Sequence, residues 1–293
     1  MKIKEPFYPS YHTKVYQTKK GTSYLKEAGV VLVAQSIPDY LGVRKFLQGF
    51  NKRLEFPDYL RDRVELDPAV SLSKFAGQTC YMSFGPKRTW NKDADRYLAN
   101  IVSSGHGSVL EHANFTFLLY GVSRSLTHEL VRHRAGMGYS QESQRYVGGP
   151  VLRFVERPEF QKDRLLHQQF EQRIDRVFAE YENYTSKLEE LQKEGLDIVS
   201  GEKVTDQRKK VRQAARAVLT NETEAIIIAT GNLRAWRHII TMRVSDHAEI
   251  EIRKAIFKVF LCLRKVSLLA FSDYKIVNLA DGTKVVKTDY PKV

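Results

Sequence analysis

Between residues 158 and 194, apolar or aromatic side chains recur at Leu166, Phe170, Ile174, Val177, Tyr181, Tyr184, Leu188 and Leu191. The steps are four, four, three, four, three, four and three, which keeps one stripe on one face of a helix. Gly195 is its natural stop. A helix this long needs a partner for its stripe, either a layer of its own core or another subunit. The periodicity assigns it no chemistry.

Around that helix the pattern is mixed. Gly29–Ala34 is a short β-branched run and Asn114–Tyr120 an aromatic, β-compatible one, both read as strands. Helices are predicted at about 68–77, opened by Asp67 and Pro68, at 91–104, closed by Gly105, and at 123–133, capped by Ser123. Further helical patterns cover about 206–219, 222–240 and 246–271. Lys275–Leu279 and Thr283–Lys287 flank Asp281-Gly282 and predict a hairpin. The expected class is α+β with helices dominant. No linker divides the chain, so one domain is expected over 29–273. Residues 1–28 read as an extended arm or a partly ordered tail, 41–66 as a possible insertion, and 274–293 as a hairpin tail.

Hydrophobic residues make up 42 % of the 293, enough for a core. Two cysteines, Cys80 and Cys262, are too few for a disulfide framework or a Cys-rich zinc site. No run reaches the roughly 20 apolar residues of a membrane span, and the first residues hold no apolar signal segment. A soluble, cytoplasmic protein is expected, with no membrane partner. The net charge of +13 points to anionic partners such as nucleotides, phosphorylated cofactors or nucleic acid.

Several motifs fail. His128 and His133 frame a zincin-like stretch but stand five residues apart, about 140° around a helix, so they cannot share one metal; no metal is expected. No phosphate-binding P-loop, dinucleotide fingerprint or nucleophile elbow is present. No nucleic-acid-binding signature is present either, and a basic nucleic-acid-binding protein ranks last.

The dense segment is Arg132–Tyr146, where arginines, His133, glycines and Ser, Gln and Tyr side chains interleave. A solvated surface turn can have that composition. Here the arginines follow an apolar helix and the glycines open the backbone, which suits gripping phosphates with Arg forks while amides and hydroxyls read a planar ring.

This segment resembles the signature of the flavin-dependent thymidylate synthases, the ThyX family: Arg132-His133-Arg134, a spacer, Ser143, then Arg145-Tyr146. Two flanking blocks resemble it independently. Upstream lies Gly105–Phe117, with His106, Ser108, Glu111 and His112; downstream lie Asn232-Leu233-Arg234 and Arg243–Arg253. The resemblance covers roughly residues 67–272 and the strand at 30–34. There are departures: eight residues separate Arg134 from Ser143, one more than the family pattern. Gln141 stands where the family has a glutamate, His238 where asparagine is common and Glu129 where glutamine is common.

The resemblance implies a ThyX-like fold, with helices around a central, mostly antiparallel sheet. It implies FAD-dependent reductive methylation of dUMP to dTMP, with 5,10-methylenetetrahydrofolate and NADPH as co-substrates and no enzyme nucleophile. A same-fold methylase of another uracil nucleotide, such as UMP, is the alternative. By resemblance Arg243 is the catalytic cation at the pyrimidine edge, where a planar, always-charged group stabilises a deprotonated, enolate-like ring. An arginine capping a helix or pairing with Asp246 competes with that role on sequence alone. Substrate binding is assigned to Glu129, Arg132, Ser143, Gln144, Arg145, Arg216 and Arg243. Flavin binding is assigned to Ser108, Arg132, His133, Arg134, Gln141, Asn232, Arg234 and His238. A homotetramer with shared sites is implied. Arg208, Lys209, Lys210 and Arg212 read more simply as a solvated face, and Phe115 and Phe117 as core.

Overall fold

A computed structural model describes residues 8–194 and 204–293; Gly195, the expected helix stop, lies outside the described residues. In chain order the strands are β1 Ser10–Tyr11, β2 Val15–Gln17, β3 Ser23–Leu25, β4 Gly29–Gln35, β5 Asn114–Tyr120, β6 Met137–Gln141, β7 Phe154–Val155, β8 Ile227–Asn232, β9 Lys275–Asn278 and β10 Lys284–Lys287. The helices are α1 Tyr40–Gln48, α2 Pro68–Cys80, α3 Ala94–Ser103, α4 Arg124–Leu130, α5 Arg164–Lys193, α6 Val204–Ala215, α7 Leu233–Arg243 and α8 Ile250–Val266.

The central sheet has the order β1-β4-β5-β8-β6 and every neighbouring pair is antiparallel. The α+β expectation with a mostly antiparallel sheet is met. One face of the sheet carries the main core. Phe115 and Phe117 are buried there, and the Trp236 indole donates to the Phe115 carbonyl at 3.2 Å. Helix α8 supplies Ile252, Ile256, Val259, Phe260 and Leu263 to the same core. The opposite face is more open: Val33 and Ile228 are each 43 % exposed.

A smaller sheet, β2-β3-β7, packs on α5. The long stripe is only partly spent on it. Phe170, Ile174, Val177 and Tyr181 are buried, whereas Leu166 and Tyr184 are exposed. The helix begins at Arg164 because Asp163 caps it, accepting from Leu166 N at 2.8 Å; the expected start near 158 was several residues early.

The stretch 222–240 is not one helix: Ile227–Asn232 is a strand, paired with β5 on one side and β6 on the other. The dense segment also contains a strand, β6, at the sheet edge. Residues 10–11 pair with β4, and residues 15–25 build the smaller sheet, so the described part of the N-terminal arm adds strands to both sheets. The expected hairpin pairs antiparallel, with Val285 opposite Val277. Among the described residues no helix is long and apolar enough to cross a membrane.

Arg237, in the middle of α7, has no exposed surface. It donates to both Asp273 carboxylate oxygens at 2.8 Å and to the carbonyls of Ala270 (2.7 Å) and Val293 (2.9 Å). Removing a partner from a buried charge is costly. Asp273→Ala is therefore expected to destabilise the protein by about 3–5 kcal/mol, read as a lower midpoint in urea unfolding.

Candidate active site

Helix α7 organises the site. Its cap is Asn232, whose side-chain oxygen accepts from Ala235 N at 2.8 Å. The Asn232 amide sits against Gly136, where a Cβ would come within 2.6 Å of Asn232 Nδ2 and where φ is +70°. Only glycine suits both demands. Gly136 closes the turn from Arg134 into β6. This packing places the Arg132–Arg134 segment beside the start of α7.

Arg234 follows the cap and donates to Glu111 at 2.7 Å. Its guanidinium lies over Gly107, where a Cβ would meet Nε at 2.7 Å. Ser108 comes next and is exposed. His238, one turn beyond Arg234, is exposed and its ring stands 5.7 Å from that of His133. The upstream and downstream blocks therefore meet at one place. His106 and His112 are exposed beside it.

Arg243 ends α7. It donates from Nε to His133 Nε2 at 2.9 Å and from Nη1 to Glu129 Oε2 at 2.6 Å. It makes no pair with Asp246, whose carboxylate instead lies 3.6 Å from His247. Arginine can only donate, so His133 Nε2 is unprotonated and its proton sits on Nδ1. Burial lowers the His133 pKa to about 4, helped by the charge of Arg243 and then by His238 and Arg132. The imidazole is thus neutral at physiological pH. Tyr139 on β6 fixes the loop beneath it, donating to the carbonyls of Leu130 and His133 at 3.1 and 3.0 Å.

Glu129 is held by α4, whose cap Ser123 also binds Glu251 at the start of α8. Ser123 donates to that carboxylate from N at 2.8 Å and from Oγ at 2.7 Å. The motif glutamate Glu251 thereby ties the helix carrying Glu129 to the segment that follows Arg243.

Ser143, Gln144 and Arg145 are elsewhere. Met137 pairs with Gly231, next to the α7 cap, while Gln141 pairs with Ile227 at the far end of β8. Four residues of strand span about 13 Å, so the strand carries Gln141 and the 143–145 loop away from Arg243. Near that loop Arg212 donates to the Tyr146 carbonyl, and the Lys209 ammonium lies 4.9 Å from the Tyr146 ring centre. The expected solvated face of α6 thus reaches the dense segment. Arg216, just beyond α6, is partly exposed. Arg145 Nε is buried and has no hydrogen-bond partner among the described residues.

Sequence reasoning gave no site role to Tyr139 or Glu111. Glu111 lies inside the upstream block, three residues after Ser108, and its carboxylate was the available signal. Tyr139 offered none beyond being the aromatic in a glycine-rich run.

Residues 65–267 match the family model described as thymidylate synthase complementing protein. The flavin-dependent thymidylate synthase of Mycobacterium tuberculosis H37Rv is 42 % identical over 225 residues, covering 76 % of this chain and 86 % of that protein. The Mycolicibacterium gilvum enzyme of the same name is 43 % identical over 226 residues, with the same two coverages. The chain belongs to the flavin-dependent thymidylate synthase family. The solved structure of a UMP/dUMP methylase, PolB from Streptomyces cacaoi, bound with 5-Br dUMP shares this family member's fold. Its TM-score is 0.56 at 18 % identity, covering 84 % of this chain and 95 % of that one.

The depressed His133 pKa has a consequence for stability. The unfolded chain takes up the proton near the ordinary value of 6.5, while the folded protein resists it until about 4. The unfolded state therefore binds more protons in that window, and stability falls as pH falls through it. His133→Gln is expected to flatten this part of the pH dependence of Tm between about pH 4 and 6.5, measured against the unaltered protein.

Proposed function

We propose that this protein methylates C5 of dUMP reductively to give dTMP, with FAD as its flavin, 5,10-methylenetetrahydrofolate as carbon donor and NADPH as reductant. The observation that carries this reading is Arg243, a guanidinium held between Glu129 and a neutral His133 at the end of the helix where the sequence blocks meet. A pyrimidine ring must gain electron density before C5 can accept carbon, and a fixed cation at its edge stabilises the N3-deprotonated form. Glu129 and His133 hold the fork in place, so little reorganisation is needed when charge develops on the ring.

The donor set suits FAD. Arg132 and Arg134 are exposed and enter no ion pair among the described residues, which leaves them free for a pyrophosphate. Gly107 and Gly136 let Arg234 and Asn232 lie close against the backbone. Ser108, His133 and His238 offer hydrogen bonds to a ring edge, and Gln141, at the far end of β6, would reach a flavin held by a second copy of the chain. When bound, FAD supplies the redox chemistry that these side chains lack. Ser143, Gln144, Arg145 and Arg216 would hold the nucleotide phosphate, and Arg132 would serve both nucleotide and flavin. Neither cysteine offers a nucleophile near Arg243: Cys80 is exposed on α2 and Cys262 is buried in α8.

The separation of the 143–145 loop from Arg243 favours sites completed by a second copy of the chain, in a homotetramer. The open sheet face at Val33 and Ile228 offers an apolar surface for such assembly. A cytoplasmic location accords with a biosynthetic role of this kind.

A second reading, UMP in place of dUMP, draws on the longer loop between Arg134 and Ser143. Purified protein is expected to show flavin absorbance that responds to dUMP, and flavin reoxidation with dUMP and UMP compared side by side decides the nucleotide. Colourless protein that FAD does not reconstitute would overturn the proposal. Arg243→Ala is expected to lower kcat/KM for dUMP about 10²–10³-fold while flavin absorbance persists.

A further inference from the structure

The C-terminal hairpin lies beyond residue 267, where the match to the family model ends, and it touches the backbone on the C-terminal side of Arg243. The Val286 amide donates to the Val244 carbonyl at 3.0 Å. Arg253, 5 % exposed, reaches in the same direction. Its Nη2 donates to the carbonyls of Asp246 (3.0 Å) and Ala248 (2.7 Å). Its Nη1 donates to the Asp281 carboxylate at 3.1 Å and to the Thr283 hydroxyl at 2.8 Å. Asp281 and Thr283 belong to the hairpin turn, and Asp281 is itself oriented by the Thr283 amide (2.8 Å) and hydroxyl (2.6 Å). Leu279 N closes the same turn on the Thr283 carbonyl at 2.8 Å.

We propose that Asp281 and Arg253 are positioning residues for Arg243: the hairpin turn fixes the Arg253 fork, which fixes the carbonyls of the 244–248 loop and so the end of α7. Arg243 is the last residue of α7, and Val244 leaves helical geometry with φ of −107° and ψ of 39°. A helix end frays unless its last carbonyls and the following turn are held. Two donors of a buried arginine and one strand amide hold this one, and all three trace to the hairpin or to a side chain that the hairpin orients. A planar fork suits the task because one rigid group spans two backbone carbonyls and a carboxylate at once. The reach of Arg243 to Glu129 and His133 then depends on a turn more than thirty residues later in sequence.

The idea rests on the proposed role of Arg243, and its test separates the two. Asp281→Ala removes the carboxylate that orients Arg253; Asp281→Asn keeps an acceptor of the same shape. Hydrogen exchange of the amides over residues 244–248 is measured in both variants, along with Tm, flavin absorbance, kcat and KM for dUMP. Asp281→Ala is expected to speed exchange in that loop and to raise KM for dUMP about tenfold, since small displacements of a binding group are costly. Asp281→Asn is expected to restore both. A merely structural role would lower Tm and the active fraction and leave KM unchanged. Unaltered loop exchange in Asp281→Ala, unaltered KM, or no recovery in Asp281→Asn would each overturn the proposal. If the unaltered protein does not turn over dUMP, the functional reading fails, while loop exchange still decides whether the clamp exists.

Discussion

The constraint on which most of this structure depends is the burial of Arg237. A guanidinium without exposed surface must use its donors or the fold does not tolerate it. Four hydrogen bonds, to Asp273, Ala270 and Val293, meet that demand. They also tie the middle of α7 to the segment that follows α8 and to Val293. Once that face of α7 is fixed, Trp236 on the neighbouring face packs against Phe117 at 5.2 Å between ring centres. Arg234 and His238, one turn apart, are left on the open face. The polar side of the site thus follows from an apolar and ionic commitment on the other side of the same helix.

The same logic sorts the arginines. Arg237 and Arg253 are buried and bind backbone carbonyls, so their charge serves the fold. Arg243 and Arg234 are partly exposed and paired with Glu129 and Glu111. Arg132 and Arg134 are exposed and enter no ion pair among the described residues. Net charge could not distinguish these three groups. The distinction is one of burial, which the sequence does not carry at single-residue resolution.

Much of the site was nevertheless legible. Three blocks in the expected order named Arg243, Asn232, Arg234, Ser108 and the Arg132–Arg134 run, and the fold brings those residues around α7. The strand β8 was not legible, because Glu222–Thr230 mixes alanine and glutamate with an isoleucine run that fits either period. What decides it is pairing on both edges, with β5 and β6, which is tertiary information. Strand β6 was hidden for a related reason. Its glycine, serine and glutamine content looks like a turn, and it is extended because β8 offers a ladder at the sheet edge. The long stripe on α5 was read correctly as periodic, yet periodicity could not apportion it between the buried positions and the exposed ones at Leu166 and Tyr184.

Glu129 is where sequence and geometry together say most. Its carboxylate sits 2.6 Å from Arg243 and offsets the positive charge that a pyrimidine would use. An amide at that position would orient the same fork without competing for it. The carboxylate therefore has two opposed effects: it preorganises the guanidinium and it weakens the field available to a bound anion. The neutral His133 tips this balance, because an imidazolium there would repel Arg243, and burial together with the arginine itself keeps the ring uncharged. On the proposed reading, substrate that brings its own negative charge to this edge must displace or share the Glu129 contact. Discrimination among uracil nucleotides then depends on how well each ligand competes with a carboxylate already in place, and not on Arg243 alone.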